Sequence, residues 1–205
     1  MRSSLIWLFP PLACLIMAFV QGQDVHAVNL DRIWAEPDLM HWMGCDDLGR
    51  DVLARLASGI LLSLGIGIGV IMASSLIGIA LGLWSGWQGG WLDALIMRLA
   101  DIVLAFPGIL LAIALAAMLG PGVGNLILAL TVVGWVGFAR LVRVQVQALR
   151  HTPFVEASVA AGIGSMRLAW CHLLPNIAAP VLVEASFGLA NVMIGEAGLS
   201  FLGLG

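Results

Sequence analysis

Long apolar runs, separated by short polar or glycine-rich stretches, make up most of this chain. The runs cover about residues 5–20, 58–84, 92–119, 126–139 and 177–199. Because a membrane-spanning helix needs roughly 20 mostly apolar residues, the pattern predicts an all-α, polytopic transmembrane helix bundle with about five spans. The predicted organisation is an N-terminal anchor at residues 1–21, a polar loop at 22–56 and a transmembrane domain at 57–205.

The first apolar run follows Arg2 and could be read as a secretory signal peptide. No clean A-x-A cleavage site follows it, and further spans do. An uncleaved signal anchor is therefore the favoured interpretation.

Composition supports a membrane protein and excludes several other classes. The 205 residues are 61% hydrophobic and 10% charged, whereas soluble domains carry about 25% charged residues. The chain has no basic run of the kind that would indicate a nucleic-acid partner. Cys14, Cys45 and Cys171 lie far apart without metal-ligand spacing. We therefore predict no metal site and no cofactor, with membrane lipid as the surrounding medium.

The placement of arginine predicts the orientation in the membrane. The segment around residues 144–176 is flanked and occupied by a cluster of cations, Arg140, Arg143, Arg150 and Arg167, whereas residues 22–56 are rich in aspartate. Short cytoplasmic loops carry an excess of arginine and lysine. The N-terminus and the 144–176 segment are therefore predicted to be cytoplasmic, and the 22–56 loop to lie outside.

The cytoplasmic segment has the pattern of a helix-turn-helix. Thr152 and Pro153 are typical of a helix start, and Gly162 is typical of a left-handed residue at a helix end. A second helix is expected over "SMRLAWCHLL", with Ser165 as its cap and Pro175 ending it or marking entry to the next span.

Two uses of this hairpin remain open from the pattern. A face of small residues (Ala157, Ala160 and Ala161) suits insertion into a groove on another protein. An amphipathic hairpin resting on lipid headgroups fits Met166 and Trp170 equally well.

The stretch "EASVAAGIGSMRLAWCHLLPN" (156–176) resembles the conserved loop of permeases of binding-protein-dependent ABC importers. The positions that carry the resemblance are Glu156, Ala157, Gly162, His172, Leu174 and Pro175, with Ser158 in place of a second alanine. "GCDDLGRDVLARL", with Cys45 where that family has threonine, and "LSFLGLG" resemble the dipeptide, oligopeptide and nickel branch, as do "DIVLAFPGILLAI" and "FARLVRVQV". The resemblance extends over about residues 42–205.

The resemblance implies a permease subunit, the second of the pair, of a bacterial inner-membrane importer for dipeptides or oligopeptides. This subunit would form part of the translocation path and perform no chemistry itself. The implied partners are a second homologous permease, two ATP-binding subunits and a periplasmic or lipid-anchored substrate-binding protein. The 156–176 loop would be the coupling helix that docks on one ATPase. The family normally has a sixth span and a longer segment after "FLGLG", so a fragment or truncated product is expected.

A few charged or helix-breaking residues lie within the apolar runs. Arg98 and Asp101 are spaced to pair on one helix face, and with Asp93 they are interpreted as a structural ion-pair group. Glu184 and Glu196 are candidates for the translocation path or for a structural role; Glu196 is expected to anchor the final segment. Pro107 is expected to kink the third span.

Glycines at positions 65, 67, 69, 78 and 82 are interpreted as close-packing positions, in preference to a dedicated dimer motif.

A nickel importer remains the nearest functional alternative. A secondary transporter or channel is an alternative of another class, which the lack of a convincing internal repeat disfavours. A membrane enzyme would need a catalytic or metal-binding motif within a span, such as H-E-x-x-H, and the sequence contains none.

Overall fold

The computed structural model describes residues 27–203, so the predicted anchor at residues 1–21 lies outside the described residues. The chain divides into two compact units, one ending at Leu64 and the other beginning at Gly65. The first is a polar loop followed by the start of a long helix. The second is helical almost throughout.

In the first unit, the "GCDDLGRD" stretch forms a tight loop that requires its two glycines. Gly44 and Gly49 have φ of +70° and +68°. A Cβ at Gly44 would lie 2.6 Å from the carbonyl oxygen of Ala35, and one at Gly49 only 1.8 Å from that of Asn29. Any side chain at these positions would therefore displace the backbone that packs over them.

Asp46 holds this loop closed. Its carboxylate accepts hydrogen bonds from the backbone N–H groups of Leu48 and Arg50, each at 2.9 Å, and from the Arg50 and Arg55 side chains. Burial of the carboxylate opposes its ionisation, but these donors outweigh it and hold the pKa of Asp46 well below its usual range.

Asp51 caps the first long helix. One carboxylate oxygen accepts from the N–H of Ala54 at 2.7 Å, and the other lies 2.8 Å from Nδ1 of His41. The His41 ring is half-buried against Asp51.

The described residues contain seven α-helices: α1 Val52–Gln88, α2 Gly90–Leu104, α3 Gly108–Leu119, α4 Val123–Arg150, α5 Pro153–Ala160, α6 Ser165–Leu168 and α7 Leu174–Phe201. A π-helical turn, Ala169–Leu173, joins α6 to α7. By length and composition, α1, α4 and the α6–α7 stretch could each cross a membrane, and α2 with α3 could form a fourth, broken span. The all-α membrane bundle predicted from the sequence is confirmed.

Pro107 breaks the third predicted span. Helix α2 ends at Leu104, α3 begins at Gly108, and the two are bent by 85°. Proline disfavours helical geometry in the residue before it, and Pro107 itself has an extended ψ of 121°. The expected kink is therefore a break between two helices.

A glycine face brings α1 against α4. A Cβ at Gly78 would lie 2.7 Å from the carbonyl oxygen of Trp135, and a Cβ at Gly82 2.6 Å from that of Ala139. Gly86 continues the face one turn further, against Arg143. The interpretation of Gly78 and Gly82 as close-packing residues is confirmed, and the partner helix belongs to the same chain.

Two ion pairs join α2 to α4. Nε and Nη2 of Arg143 contact the two carboxylate oxygens of Asp93 at 2.5 and 2.6 Å, and the Ser85 hydroxyl also donates to Asp93. Asp101 pairs with Arg140. The expected Arg98–Asp101 pair within α2 is therefore wrong, because Arg140 of the neighbouring helix contacts that carboxylate instead.

The turn Ala169–Leu173 corrects the predicted second hairpin helix. The N–H of Leu174 bonds the carbonyl of Ala169, five residues back. Pro175 has no N–H and its ring crowds the carbonyl four residues before it, which a widened turn accommodates. The "SMRLAWCHLL" segment therefore continues into α7. Gly164 stands at the N-cap position and Ser165 is the first helical residue.

Candidate functional site

The hairpin at residues 152–168 is built from the turn chemistry that the sequence predicts. Thr152 is extended at the N-cap position and Pro153 begins α5, although the Thr152 hydroxyl donates to the carbonyl of Leu149 and does not cap the helix. Gly162 has φ of +80°, which confirms the predicted left-handed residue. The N–H groups of Gly162 and Ile163 bond the carbonyls of Val159 and Ser158 at 2.9 and 3.2 Å. This is a Schellman end.

The hairpin is held by an apolar cluster at the end of α4. Val155 of α5 and Leu168 of α6 are both fully buried with Val142 and Val146. Leu173 and Ile177 complete the cluster from the π turn and α7. Burying each such side chain contributes roughly 1.5–3 kcal/mol, so the hairpin has a fixed placement on α4.

The opposite face of the hairpin is exposed and combines small, apolar and charged side chains. Its members are Glu156, Ala157, Val159, Ala160, Met166, Arg167 and Trp170, which we call the hairpin face. Met166 and Trp170 are 75% and 64% exposed. Glu156 lies in the first turn of α5, and its carboxylate makes no hydrogen bond or ion pair within residues 27–203.

The other residues identified from the resemblance differ in burial and in hydrogen bonding. Ser158 is half-buried and its hydroxyl donates to the carbonyl of Phe154 at 2.7 Å. His172 lies in the π turn, where its Nδ1 is buried and has no hydrogen-bond partner among the described residues. Leu174 is half-buried and Pro175 exposed at the start of α7.

The two glutamates of α7 have different environments. Glu196 is buried near the end of α7 and accepts a hydrogen bond from Ser200 at 3.0 Å. Glu184 is half-buried and lines a cavity of 330 Å³ between α1, α3, α4 and α7. Gly108, the residue after Pro107, also lines it. Glu184 and the Pro107 break therefore belong to one region of the bundle, whereas Glu196 does not line the cavity.

Sequence reasoning missed two residues that line this cavity, Ser74 and Gly134, and also Gly137, which lies next to Glu184. Ser74 is fully buried, and its hydroxyl has no hydrogen-bond partner among the described residues. Gly134 and Gly137 lie on α4 directly beneath the Ser74 and Glu184 oxygens. A lone serine in a glycine-rich span carries no distinctive pattern, so only the packing of the helices reveals this group.

Comparison with known proteins identifies the family. Residues 78–205 match the model of the "binding-protein-dependent transport system inner membrane component". The chain belongs to this family. The matched region includes the hairpin, the α2–α3 break and α7, although α1 begins before it. The members of this family are inner-membrane components of transport systems.

Curated proteins similar to this chain are named as dipeptide or glutathione transport system permeases. The chain is 44% identical over 169 residues to a dipeptide transport system permease of Alkalihalophilus pseudofirmus, covering 82% of this chain and 56% of the relative. It is 39% identical over 177 residues to a glutathione transport system permease of Pectobacterium atrosepticum, covering 86% and 59%. A dipeptide permease of Bacillus subtilis is 36% identical over 205 residues, 100% of this chain and 64% of the relative. The chain therefore spans less than two thirds of the length of these relatives.

Proposed function

We propose that this chain is part of a permease subunit of an ATP-binding-cassette importer for short peptides. The observation that carries the proposal is the 44% identity between this chain and a dipeptide permease, over 82% of this chain. Its proposed partners are a second permease, two ATP-binding subunits and a periplasmic or lipid-anchored binding protein. Dipeptides and glutathione are short peptides, so the named relatives favour this substrate class over nickel.

The hairpin face is the proposed contact with one ATP-binding subunit. Its rigid attachment to α4 through Val155 and Leu168 supports transmission of movement to the spans. Its small residues allow close approach, while exposed Met166 and Trp170 supply apolar area for a partner. A protein groove accounts for the small residues and for the exposed Glu156 carboxylate, whereas anionic lipid headgroups would favour the apolar residues and Arg167 but not Glu156.

Uptake by the assembled importer tests the function. A full-length version of the subunit, reconstituted with its partners in proteoliposomes, is expected to accumulate radiolabelled dialanine only when ATP is enclosed. Excess glutathione should compete if the substrate range is broad, and nickel should not. ATP-independent uptake would favour a secondary transporter, and ATP-dependent accumulation of nickel alone would favour the alternative importer.

The proposed location is the bacterial inner membrane, with the N-terminus and hairpin in the cytoplasm and residues 22–56 outside. Cysteines introduced singly at Asp38 and Ser165, with Cys14, Cys45 and Cys171 replaced by serine, should report this. Both positions are exposed. An impermeant thiol reagent is expected to label intact cells at residue 38, and at residue 165 only after permeabilisation. The reverse pattern would contradict the positive-inside argument.

Gly162→Val is expected to impair uptake while leaving membrane insertion intact. Nothing lies within 4 Å of the added Cβ, so the strain arises from the positive φ alone, at a cost of about 1–3 kcal/mol. Gly164→Val is the matched control, since Gly164 is equally open but has φ of −63°. The measurement is ATP-driven uptake at equal membrane abundance. Equal uptake by both variants would argue against a required turn at Gly162.

A further inference from the structure

The cavity within the bundle contains a buried hydroxyl that is unlike other helical serines of this chain. Ser75, Ser158 and Ser186 each donate to a carbonyl of the preceding turn. This is the usual way a helical hydroxyl is satisfied. Ser74 is fully buried, lines the cavity and has no such partner among the described residues. An unpaired buried hydroxyl is costly, so Ser74 indicates a polar ligand in the cavity.

Glu184 places its carboxylate on the same side of α4 as the Ser74 hydroxyl. A Cβ at Gly134 would lie 2.6 Å from Oγ of Ser74, and a Cβ at Gly137 would lie 2.6 Å from Oε1 of Glu184. Residues three apart on a helix are neighbours on one face. The two oxygens therefore occupy the space that side chains at these glycines would otherwise fill, about one helical turn apart.

No cation among the described residues that line the cavity balances this carboxylate. Apart from Ser74, Glu184 and Asn191, its lining is apolar or glycine. Glu184 makes no ion pair or hydrogen bond within residues 27–203. An ionised group inside a membrane protein is expensive unless it is paired, and such groups mark functional sites. The missing countercharge is therefore expected from a bound ligand.

We propose that Glu184, Ser74 and Asn191 bind a primary ammonium group, the free N-terminus of a short peptide. An ammonium has three N–H donors, and the carboxylate, hydroxyl and side-chain amide oxygen provide three acceptors. The 330 Å³ volume lies at the lower end of the roughly 300–1,000 Å³ typical of small-molecule sites. Its apolar walls, which include Ile71, Ile109 and Phe138, suit a small uncharged side chain. This inference rests on the proposed peptide transport.

Direct binding to the permease tests the site without the binding protein. The full-length permease pair is placed in lipid nanodiscs, and binding of radiolabelled dialanine is measured by scintillation proximity. N-acetyl-dialanine, which lacks the ammonium, is expected to compete at least tenfold more weakly, as is typical for loss of a charge-assisted hydrogen bond. Propylamine should compete, and sodium chloride at the same concentration should not.

Variants connect the binding to the named residues. Glu184→Gln is expected to weaken dialanine binding at least tenfold, and Ser74→Ala several-fold. Gly137→Ala should act like Glu184→Gln, because its Cβ would displace the carboxylate. Ser186→Ala is the control on α7, since that exposed hydroxyl is already bonded to Leu182. It should bind as the wild type does.

The outcomes separate this site from the importer function. Equal competition by dialanine and its acetylated form, displacement by sodium, or absence of saturable binding would each overturn the ammonium site while ATP-driven uptake could persist. Such results would mean a protonated Glu184 or an inorganic cation. Loss of ATP-driven uptake by the wild-type assembly would instead overturn the proposed function, whatever the nanodisc result.

Discussion

Glu156→Lys is expected to abolish substrate-stimulated ATP hydrolysis by the assembled importer while leaving the affinity of the binding protein for peptide unchanged. Glu156 is exposed in the first turn of α5 and has no partner within residues 27–203. At the proposed ATP-binding-subunit contact, breaking a charged pair costs roughly 2–5 kcal/mol. Reversing the charge adds repulsion. The measurement is ATPase activity in proteoliposomes, with subunit association followed by co-purification.

A local role for Glu156 predicts a much smaller effect. A carboxylate in the first turn of an exposed helix stabilises it by only about 0.3–1 kcal/mol, so Glu156→Gln would then barely change assembly. Glu36→Lys is the control, because Glu36 is also exposed but lies in the polar loop. Wild-type stimulation and assembly in Glu156→Lys would rule out the docking role of this residue.

Gly82→Val is expected to destabilise the helix bundle by about 3 kcal/mol or more, at the upper end of overpacking effects. Its Cβ would lie 2.6 Å from the carbonyl oxygen of Ala139 and 2.7 Å from Cβ of Val142. These are backbone and Cβ atoms, which cannot rotate away as the tip of a flexible side chain can. Thermal unfolding of the permease in nanodiscs measures the effect.

Gly65→Val is the matched control on the same helix. Nothing lies within 4 Å of a Cβ at Gly65, and replacing a helical glycine generally favours the helix. Its unfolding temperature should therefore be unchanged or slightly higher. Equal loss of stability in both variants would show that glycine is needed for helix flexibility and not for the α1–α4 contact.

The two parts of the candidate site differ in how far they could be predicted. The Gly162 turn and the start of α5 follow from residues adjacent in sequence, because cap and turn chemistry acts over a few positions. The cavity group could not be predicted in the same way. Ser74, Gly134 and Glu184 come from three helices, and only Glu184 stood out as a charge in an apolar run.

The ion pairs, like the cavity, could not be predicted from residues adjacent in sequence. Arg98 and Asp101 have favourable spacing within α2, yet Arg140 of α4 reaches Asp101 instead. Spacing along a helix defines which side chains can meet, while packing of a second helix decides which pair forms. The Asp93–Arg143 pair, 50 residues apart, was likewise inaccessible to local reasoning.

By itself, the sequence determined the membrane class, the helical architecture, the hairpin turn and the family resemblance, because hydropathy, turn residues and motifs are properties of neighbouring positions. Tertiary structure alone decided that the Pro107 break is 85°, that the second hairpin helix continues through a π turn into α7, and that Gly82 packs on Ala139. It also brought Ser74 and Glu184 to one cavity. Contacts between helices depend on crossing geometry and side-chain volume, which no single apolar run encodes.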